Sequence, residues 1–160
     1  LALPGWLVAL GLGGAGEEQV QPGGVDLRVA EVHVFRGAGF LGIVDRRVAP
    51  SESLEPRGGV WELAPGVYKV VFMDAVYVPE GAAGVCFPRS SLLRSGVLMG
   101  CAVWDPGYRG RGEALLAVLN PRGFVLERGA RVAQLVYVSL RGFGGAYRGV
   151  YQGERLQPRG

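Results

Sequence analysis

The sequence predicts an all-β fold, a distorted β-barrel or sandwich carrying one short internal helix and a short N-terminal helix. Three observations carry this expectation. Apolar, strand-like runs recur at intervals of about 8–12 residues, the spacing of sandwiches and barrels. Turn chemistry separates them: Ala64-Pro65-Gly66, Pro79-Glu80-Gly81, Asp105-Pro106-Gly107 and Asn120-Pro121-Arg122-Gly123. The 160 residues include 28 Gly and 10 Pro, which break long helices and exclude a coiled coil. With 49% hydrophobic and 19% charged residues, the chain is not intrinsically disordered. At this length one domain is expected, residues 1–140, followed by a tail over 141–160.

Leu3, Trp6, Leu7 and Leu10 fall at i, i+3, i+4 and i+7, the pattern of a short helix lying on a domain. The apolar stretch from Leu1 to Ala15 is shorter than the ~20 residues of a membrane span. No basic residue precedes it, as a signal peptide requires, so a cytoplasmic protein with no membrane partner is expected. Gly13 to Gly16 read as a turn. Val25, Leu27 and Val29 alternate with Asp26 and Arg28, a period of two, and Val32, Val34 and Phe35 continue in a second run. Residues 36–56 read as polar loop. Further strand candidates are Val60–Leu63, Tyr68–Phe72, Ala75–Val78, Gly84–Phe87, Leu98–Trp104, Ala114–Asn120 and Arg131–Val138. Ser90-Ser91-Leu92-Leu93-Arg94 opens with N-cap residues and predicts the internal helical turn. The tail from Arg141 is rich in Gly and Arg without alternation, and is expected to be mobile unless something orders it.

The net charge of +3 is built almost entirely on arginine, since Lys69 is the only lysine beside 16 Arg. The arginines are scattered, so no nucleic-acid partner is expected. Their forks suit a phosphorylated small molecule, with a bias in composition as the other and plainer reading. Cys86 and Cys101 make no disulfide framework, and His33 has no second histidine with which to hold zinc.

Four aspartates are present: Asp26, Asp45, Asp74 and Asp105. Asp26 sits inside a strand, Asp45 lies in a loop beside Arg46 and Arg47, and Asp74 reads as a turn residue. Asp105 ends an apolar strand and begins a rigid Pro-Gly turn. A carboxylate there either orients a water or only caps its turn. Arg89, Ser90 and Ser91 open the helical turn, where a fork, two hydroxyls and free N–H groups form an anion cradle or an ordinary cap.

Four segments in order resemble the motifs of the dUTPase and dCTP deaminase superfamily: Gly24–Arg28, Pro88–Leu92, Trp104–Gly110 and Gly129–Leu135. Glu18–Pro22 and the ending Val150-Tyr151-Gln152-Gly153-Glu154 resemble the deaminase branch most closely. The resemblance implies a dUTPase-like barrel, or β-clip, assembled as a homotrimer with shared active sites. It implies hydrolysis of dUTP to dUMP and pyrophosphate, with Mg²⁺ held mainly by the triphosphate rather than by protein ligands. Asp105 matches the aspartate that positions the attacking water, and Tyr108 the aromatic that packs under the deoxyribose. Arg89, Ser90 and Ser91 match the phosphate turn, and Gln134 the glutamine near the phosphates. Gly100 and Cys101 belong to the hairpin that reads the pyrimidine. Arg94, Arg131, Arg141 and Tyr151 complete the implied substrate contacts. The chain departs from the deaminases where they carry a catalytic strand glutamate. Ten residues past Asp105 stands Leu115, and counting back from Asn120 gives Ala117, while Glu113 fits neither register. A dCTP deaminase, a bifunctional enzyme and a non-catalytic nucleotide-binding trimer stand as alternatives.

Overall fold

The computed structural model describes residues 1–142 and 145–156. In chain order the elements are α1 (Gly5–Ala9), a 3₁₀ turn (Glu17–Gln19), β1 (Val20–Gln21), β2 (Gly24–Phe35), β3 (Phe40–Leu41), β4 (Arg46–Arg47), β5 (Ser51–Leu54), β6 (Val60–Leu63), β7 (Gly66–Phe72), β8 (Val76–Tyr77), β9 (Ala82–Pro88), α2 (Ser90–Arg94), β10 (Val97–Gly100), β11 (Arg109–Gly110), β12 (Glu113–Val118), β13 (Phe124–Glu127) and β14 (Arg131–Ser139). The main antiparallel sheet runs β10-β12-β7-β2-β14-β9, with β1 and β5 also paired to β2. Short ladders β8–β11, β6–β13 and β3–β4 flank it. This is the all-β, barrel-like fold that the turn spacing predicts.

The two ends of the sheet path, β9 and β10, meet at a seam. Gly84 and Trp104 form an isolated bridge there, exchanging backbone hydrogen bonds of 2.8 and 2.9 Å. Two residues further along β9, Cys86 is joined to Cys101 by a disulfide with Cα atoms 5.9 Å apart. The count of two cysteines gave no reason to expect this pairing. Neighbouring strands that are distant in sequence bring the two sulfurs together, and the bond spans a 15-residue separation.

The barrel interior is filled by one face of each long strand. Val25, Leu27 and Val29 of β2 pack with Val70 and Phe72 of β7, Leu116 and Val118 of β12, and Leu135 and Tyr137 of β14. Strand geometry alternates side chains between faces, so Asp26 points away from Val25 and Leu27. It is nonetheless buried, because the 3₁₀ turn and two arginines cover that outer face.

Several local expectations are corrected. Residues 36–56 are not plain loop: they hold the β3–β4 hairpin and β5, which pairs with the distal half of β2. Sparse alternation in a short, exposed hairpin hid it. The strand expected over Leu98–Trp104 ends at Gly100, where the chain leaves β12 for the seam. The N-terminal helix forms, but Trp6 and Leu10 are exposed while Gly5 and Val8 are buried. Gly5 lies so close to the carbonyls of Gln21 and Gly24 that a Cβ there has no room, and this contact turns Val8 inward instead. The first residue of α2 is Ser90, so Arg89 is its N-cap, with no side-chain cap bond. Asp74 does fall in the bend between β7 and β8. It is buried, accepting from the Arg28 backbone N–H at 2.7 Å and from the Arg28 guanidinium at 2.7 and 3.1 Å.

Candidate active site

The predicted site residues fall into two groups on different elements. The first surrounds a cavity of about 210 Å³ at the rim of the barrel. Trp104, fixed by its bridge to Gly84, stacks parallel to Tyr108, with ring centroids 5.9 Å apart. Between them the chain makes a tight turn. The Tyr108 N–H donates to the Asp105 carbonyl at 3.0 Å, Pro106 stands second, and Gly107 third with φ of 79°. This is the type II arrangement, which needs a positive φ at its third residue. The turn leaves the Asp105 side chain exposed on the cavity wall. Its backbone caps the turn while its carboxylate stays free to face the cavity, so the two readings of Asp105 are compatible.

Tyr108 is 3% exposed, and its hydroxyl donates to Glu154 at 2.7 Å. Burial and this carboxylate push its pKa far above the ordinary phenol value, so it remains a neutral donor. Glu113, the first residue of β12, also lines the cavity. It pairs with Lys69 of β7 at 2.8 Å and with Arg155. Leu115, two residues on, is 45% exposed on the same strand face and pairs in register with Gly100 and Lys69.

The described part of the tail, 145–156, is hydrogen-bonded to the Asp105–Arg109 turn. Gln152 holds it by both ends of its amide. Its Nε2 donates to the Gly107 carbonyl at 2.8 Å, and its Oε1 accepts from the Arg109 N–H at 2.9 Å. Backbone bonds Tyr147 N–H to Pro106 O, Gly153 N–H to Arg109 O and Arg111 N–H to Glu154 O complete the clasp. Gly107 is again necessary, because a Cβ would meet the Ala146 Cβ at 2.9 Å. Tyr147, Tyr151 and Glu154 thereby enter the wall of the cavity that holds Asp105. Val48, from the loop after β4, closes another side, and the Arg46 guanidinium lies 5.9 Å from the Tyr151 ring centre. Arg141 is exposed beyond β14 and lies outside this wall. Of the expected tail, Phe143, Gly144 and residues 157–160 lie outside the described residues.

The second group sits on β2, β9 and β14. Arg89 follows β9 and Arg131 opens β14. Their guanidinium groups converge on the Asp26 carboxylate, at 3.2 and 3.4 Å. Arg131 also donates to the Glu18 carbonyl. Gln134 is half-buried in β14, in register with Asp26 on one side and Phe87 on the other. Ser90 and Ser91 are exposed at the start of α2, and Arg94 is exposed at its end. None of these residues lines the Asp105 cavity. Gly100 and Cys101 lie between the groups, at the seam.

Sequence reasoning placed Asp26 inside a strand and weighed Glu113 only as a deaminase glutamate, and it gave no role to either, nor to Gln19, Gln152 or Glu154. Gln19 is fully buried, its amide donating to the Asp26 carbonyl at 2.8 Å and to Asp74 at 3.2 Å. The available signal was a carboxylate flanked by core residues in a strand, which must find cations once folded.

An antiparallel barrel with an aromatic, carboxylate-bearing cavity at its rim and a separate arginine–serine turn after β9 defines a protein of the dUTPase and dCTP deaminase superfamily. Residues 11–140 match the family described as dCTP deaminase-like, and the chain belongs to that family. It is 49% identical over 152 residues to an Aeropyrum pernix protein named "Probable deoxyuridine 5'-triphosphate nucleotidohydrolase", covering 94% of this chain and 96% of the relative. It is 39% identical over 141 residues to the Methanocaldococcus jannaschii "Deoxyuridine 5'-triphosphate nucleotidohydrolase", covering 86% and 89%. Among solved structures, the 2'-deoxycytidine 5'-triphosphate deaminase of Agrobacterium tumefaciens shares the fold, with a TM-score of 0.65 and 22% identity over 85% of this chain. The chain spans about half of that deaminase, 47% of its length.

Proposed function

We propose that this protein hydrolyses dUTP to dUMP and pyrophosphate. The observation that carries this reading is Asp105: an exposed carboxylate, held by a rigid turn, on the wall of a cavity floored by aromatic rings. The relatives named for deoxyuridine triphosphate hydrolysis match along almost the whole chain and support it.

In this mechanism Asp105 accepts a proton from a water whose oxygen attacks the α-phosphorus in line. The bond from that phosphorus to the bridging oxygen breaks, and pyrophosphate carries the electron pair away. Arg89, Arg131 and the Ser90/Ser91 turn neutralise charge as it moves onto the leaving group. Tyr108 offers its ring to the deoxyribose, and the 97–103 segment offers backbone groups to the pyrimidine. Uracil and cytosine exchange donor and acceptor at adjacent positions, so a fixed backbone pattern leaves buried groups unpaired with the wrong base. The donor set fits Mg²⁺, since the free Asp105 carboxylate is the hard oxygen type that meets this ion directly or through water. When bound, Mg²⁺ offsets the negative charge of the triphosphate oxygens.

We further infer a homotrimer, in which the arginine–serine group of one protomer completes the Asp105 cavity of the next. The separation of the two groups within one chain supports this, as do exposed apolar residues between them: Phe87 at 55%, Leu98 at 48% and Val103 at 58%.

Leu115 argues against deamination, because an aliphatic side chain cannot shuttle the protons that attack on cytosine requires. The nearby Glu113 is committed to Lys69 and Arg155. The deciding experiment is release of pyrophosphate and ammonia from dUTP, dCTP, dTTP and UTP assayed side by side. Pyrophosphate from dUTP without ammonia from dCTP is expected. Ammonia from dCTP establishes a deaminase, and tight binding without either product establishes a nucleotide-binding protein.

A further inference from the structure

We propose that the Cys86–Cys101 disulfide determines base specificity by position: it holds residues 101–103 off the neighbouring strand, so that their backbone groups stay unpaired and in place for the base of the substrate. This rests on the reading of the 97–103 segment as the part that faces the pyrimidine. Cys86 and Cys101 act through that backbone, and neither sulfur enters the chemistry.

The segment crosses a gap between two fixed points. Before it, β10 pairs with β12 as far as Gly100, opposite Leu115. After it, Trp104 exchanges backbone hydrogen bonds of 2.8 and 2.9 Å with Gly84 of β9. In between, the N–H and carbonyl groups of Cys101, Ala102 and Val103 have no backbone partner among the described residues. Ala102 and Val103 are exposed and line the Asp105 cavity. Exposed backbone groups are satisfied by water, and a ligand edge with matching donors and acceptors takes the place of that water. A pyrimidine carries such groups along one edge.

The strand ladder alone would close this gap. Antiparallel pairing continued from the Gly84–Trp104 bridge would set Ala102 opposite Cys86. β9 ends the sheet path, and backbone groups along a strand alternate between its two sides. Cys86, two residues from Gly84, therefore turns its N–H and carbonyl to the seam as Gly84 does. An open edge of this kind is a template for pairing, and pairing would consume the groups of 101–103. The disulfide runs to Cys101 instead, one residue off that register, with Cα atoms 5.9 Å apart. A covalent link out of register blocks the ladder and tethers the segment at once. Its anchor is firm, since Cys86 is buried in register with Leu135 of β14, and Cys101 packs against the same core.

The rest of the site does not depend on this link. Trp104 is held by its bridge, by its stack on Tyr108 and by an edge contact with Phe72 at 6.0 Å, and Asp105 follows it directly. β9 is paired to β14 along its whole length, which keeps Arg89 in place. Breaking the disulfide therefore loosens the base contact and spares the proton acceptor and the phosphate contacts.

The test compares the oxidised parent, the parent held in dithiothreitol, and Cys86→Ala/Cys101→Ala, at a temperature below the melting range of each. Dithiothreitol supplies two electrons and two protons and becomes its cyclic disulfide, while the protein gains two thiols. Calorimetry reads affinity for dUMP, dCMP and inorganic tripolyphosphate, and steady-state kinetics reads KM and kcat for dUTP. Reduction should weaken dUMP binding and raise KM for dUTP by about 10-fold, and lower the preference for dUMP over dCMP by about the same factor. Tripolyphosphate affinity and kcat should stay within about threefold. The double variant should match the reduced parent and ignore dithiothreitol. A dUMP affinity and a base preference within about twofold of the oxidised parent overturn the proposal. Equal weakening of dUMP and tripolyphosphate also overturns it, since a general loosening of the fold moves both. So does the titration of both thiols in the denatured parent before any reductant is added. Should the double variant fail to fold, the reduced parent decides by the same criteria. A parent protein that binds dUMP but leaves dUTP intact overturns the hydrolase reading, while the binding comparison still decides the role of the disulfide. A parent protein that binds dUMP no tighter than dCMP overturns the role of the disulfide, even where dUTP is hydrolysed.

Discussion

Tyr108 and Glu154, 46 positions apart in the chain, are joined by a 2.7 Å hydrogen bond that fastens the tail to the floor of the cavity. The ring of Tyr108 is held independently by Trp104, so the hydroxyl is free to serve the tail. Arg155 grips the other carboxylate oxygen of Glu154 at 2.9 Å and reaches on to Glu113, which Lys69 also holds. The tail is therefore tied to the barrel through a chain of charges as well as through the Gln152 amide.

Tyr108→Phe keeps the stacked ring and removes the donor. The expected loss is about 1 kcal/mol of tail attachment. Limited proteolysis within residues 145–156 should accelerate, and KM for dUTP should rise several-fold, while the barrel melts at nearly the parent temperature. An unchanged cleavage rate would show that the Gln152 amide, the backbone bonds and the Arg155–Glu113 pair carry the attachment without this hydroxyl.

Asp105→Asn preserves the turn, since the backbone carbonyl and not the side chain closes it. Turnover of dUTP should fall by roughly 10²–10⁴ with nucleotide affinity retained. Equal turnover in parent and variant assigns the proton acceptor elsewhere, with Glu113 the next carboxylate to test.

The Cys86–Cys101 bond closes the seam between the first and last strands of the sheet path. Its reduction should cost about 3 kcal/mol, the value for a loop of this size. For a chain this long, that lowers Tm by roughly 6–12 °C. Scanning calorimetry with and without dithiothreitol measures it, and a Cys86→Ala/Cys101→Ala protein should melt where the reduced parent does.

Asp26 sets a pH signature. Its carboxyl is raised above the 3.8 of the unfolded chain, so the folded state binds that proton more tightly. The resulting contribution to stability is fully present below 3.8 and is lost as pH rises through the higher folded value. The groups facing it are the guanidinium groups of Arg89 and Arg131, whose pull on the carboxylate is outweighed by its burial. The Tm of Asp26→Asn minus that of the parent should therefore grow from acid to neutral pH. A difference that shrinks over the same range contradicts the direction of the shift.

Much of this protein was legible from its residues in order. The spacing of Gly/Pro turns determined the β class, the Asp-Pro-Gly sequence determined that a carboxylate would open a rigid turn, and Ser90–Arg94 determined the internal helix. These features depend on neighbours within a few positions, and backbone sterics and turn chemistry act at that range. Other features depended on partners far along the chain. Cys86 meets Cys101 because β9 and β10 are the two ends of one curled sheet. Asp26 meets Arg131 across 105 positions because β2 and β14 pair, and the tail reaches Tyr108 because Gln152 finds two backbone groups of the turn. The partition of the site residues into two groups was decided only by the curvature of the barrel. No periodicity in a sequence encodes which strands become neighbours, because that choice is made by burying apolar faces against one another over the whole domain.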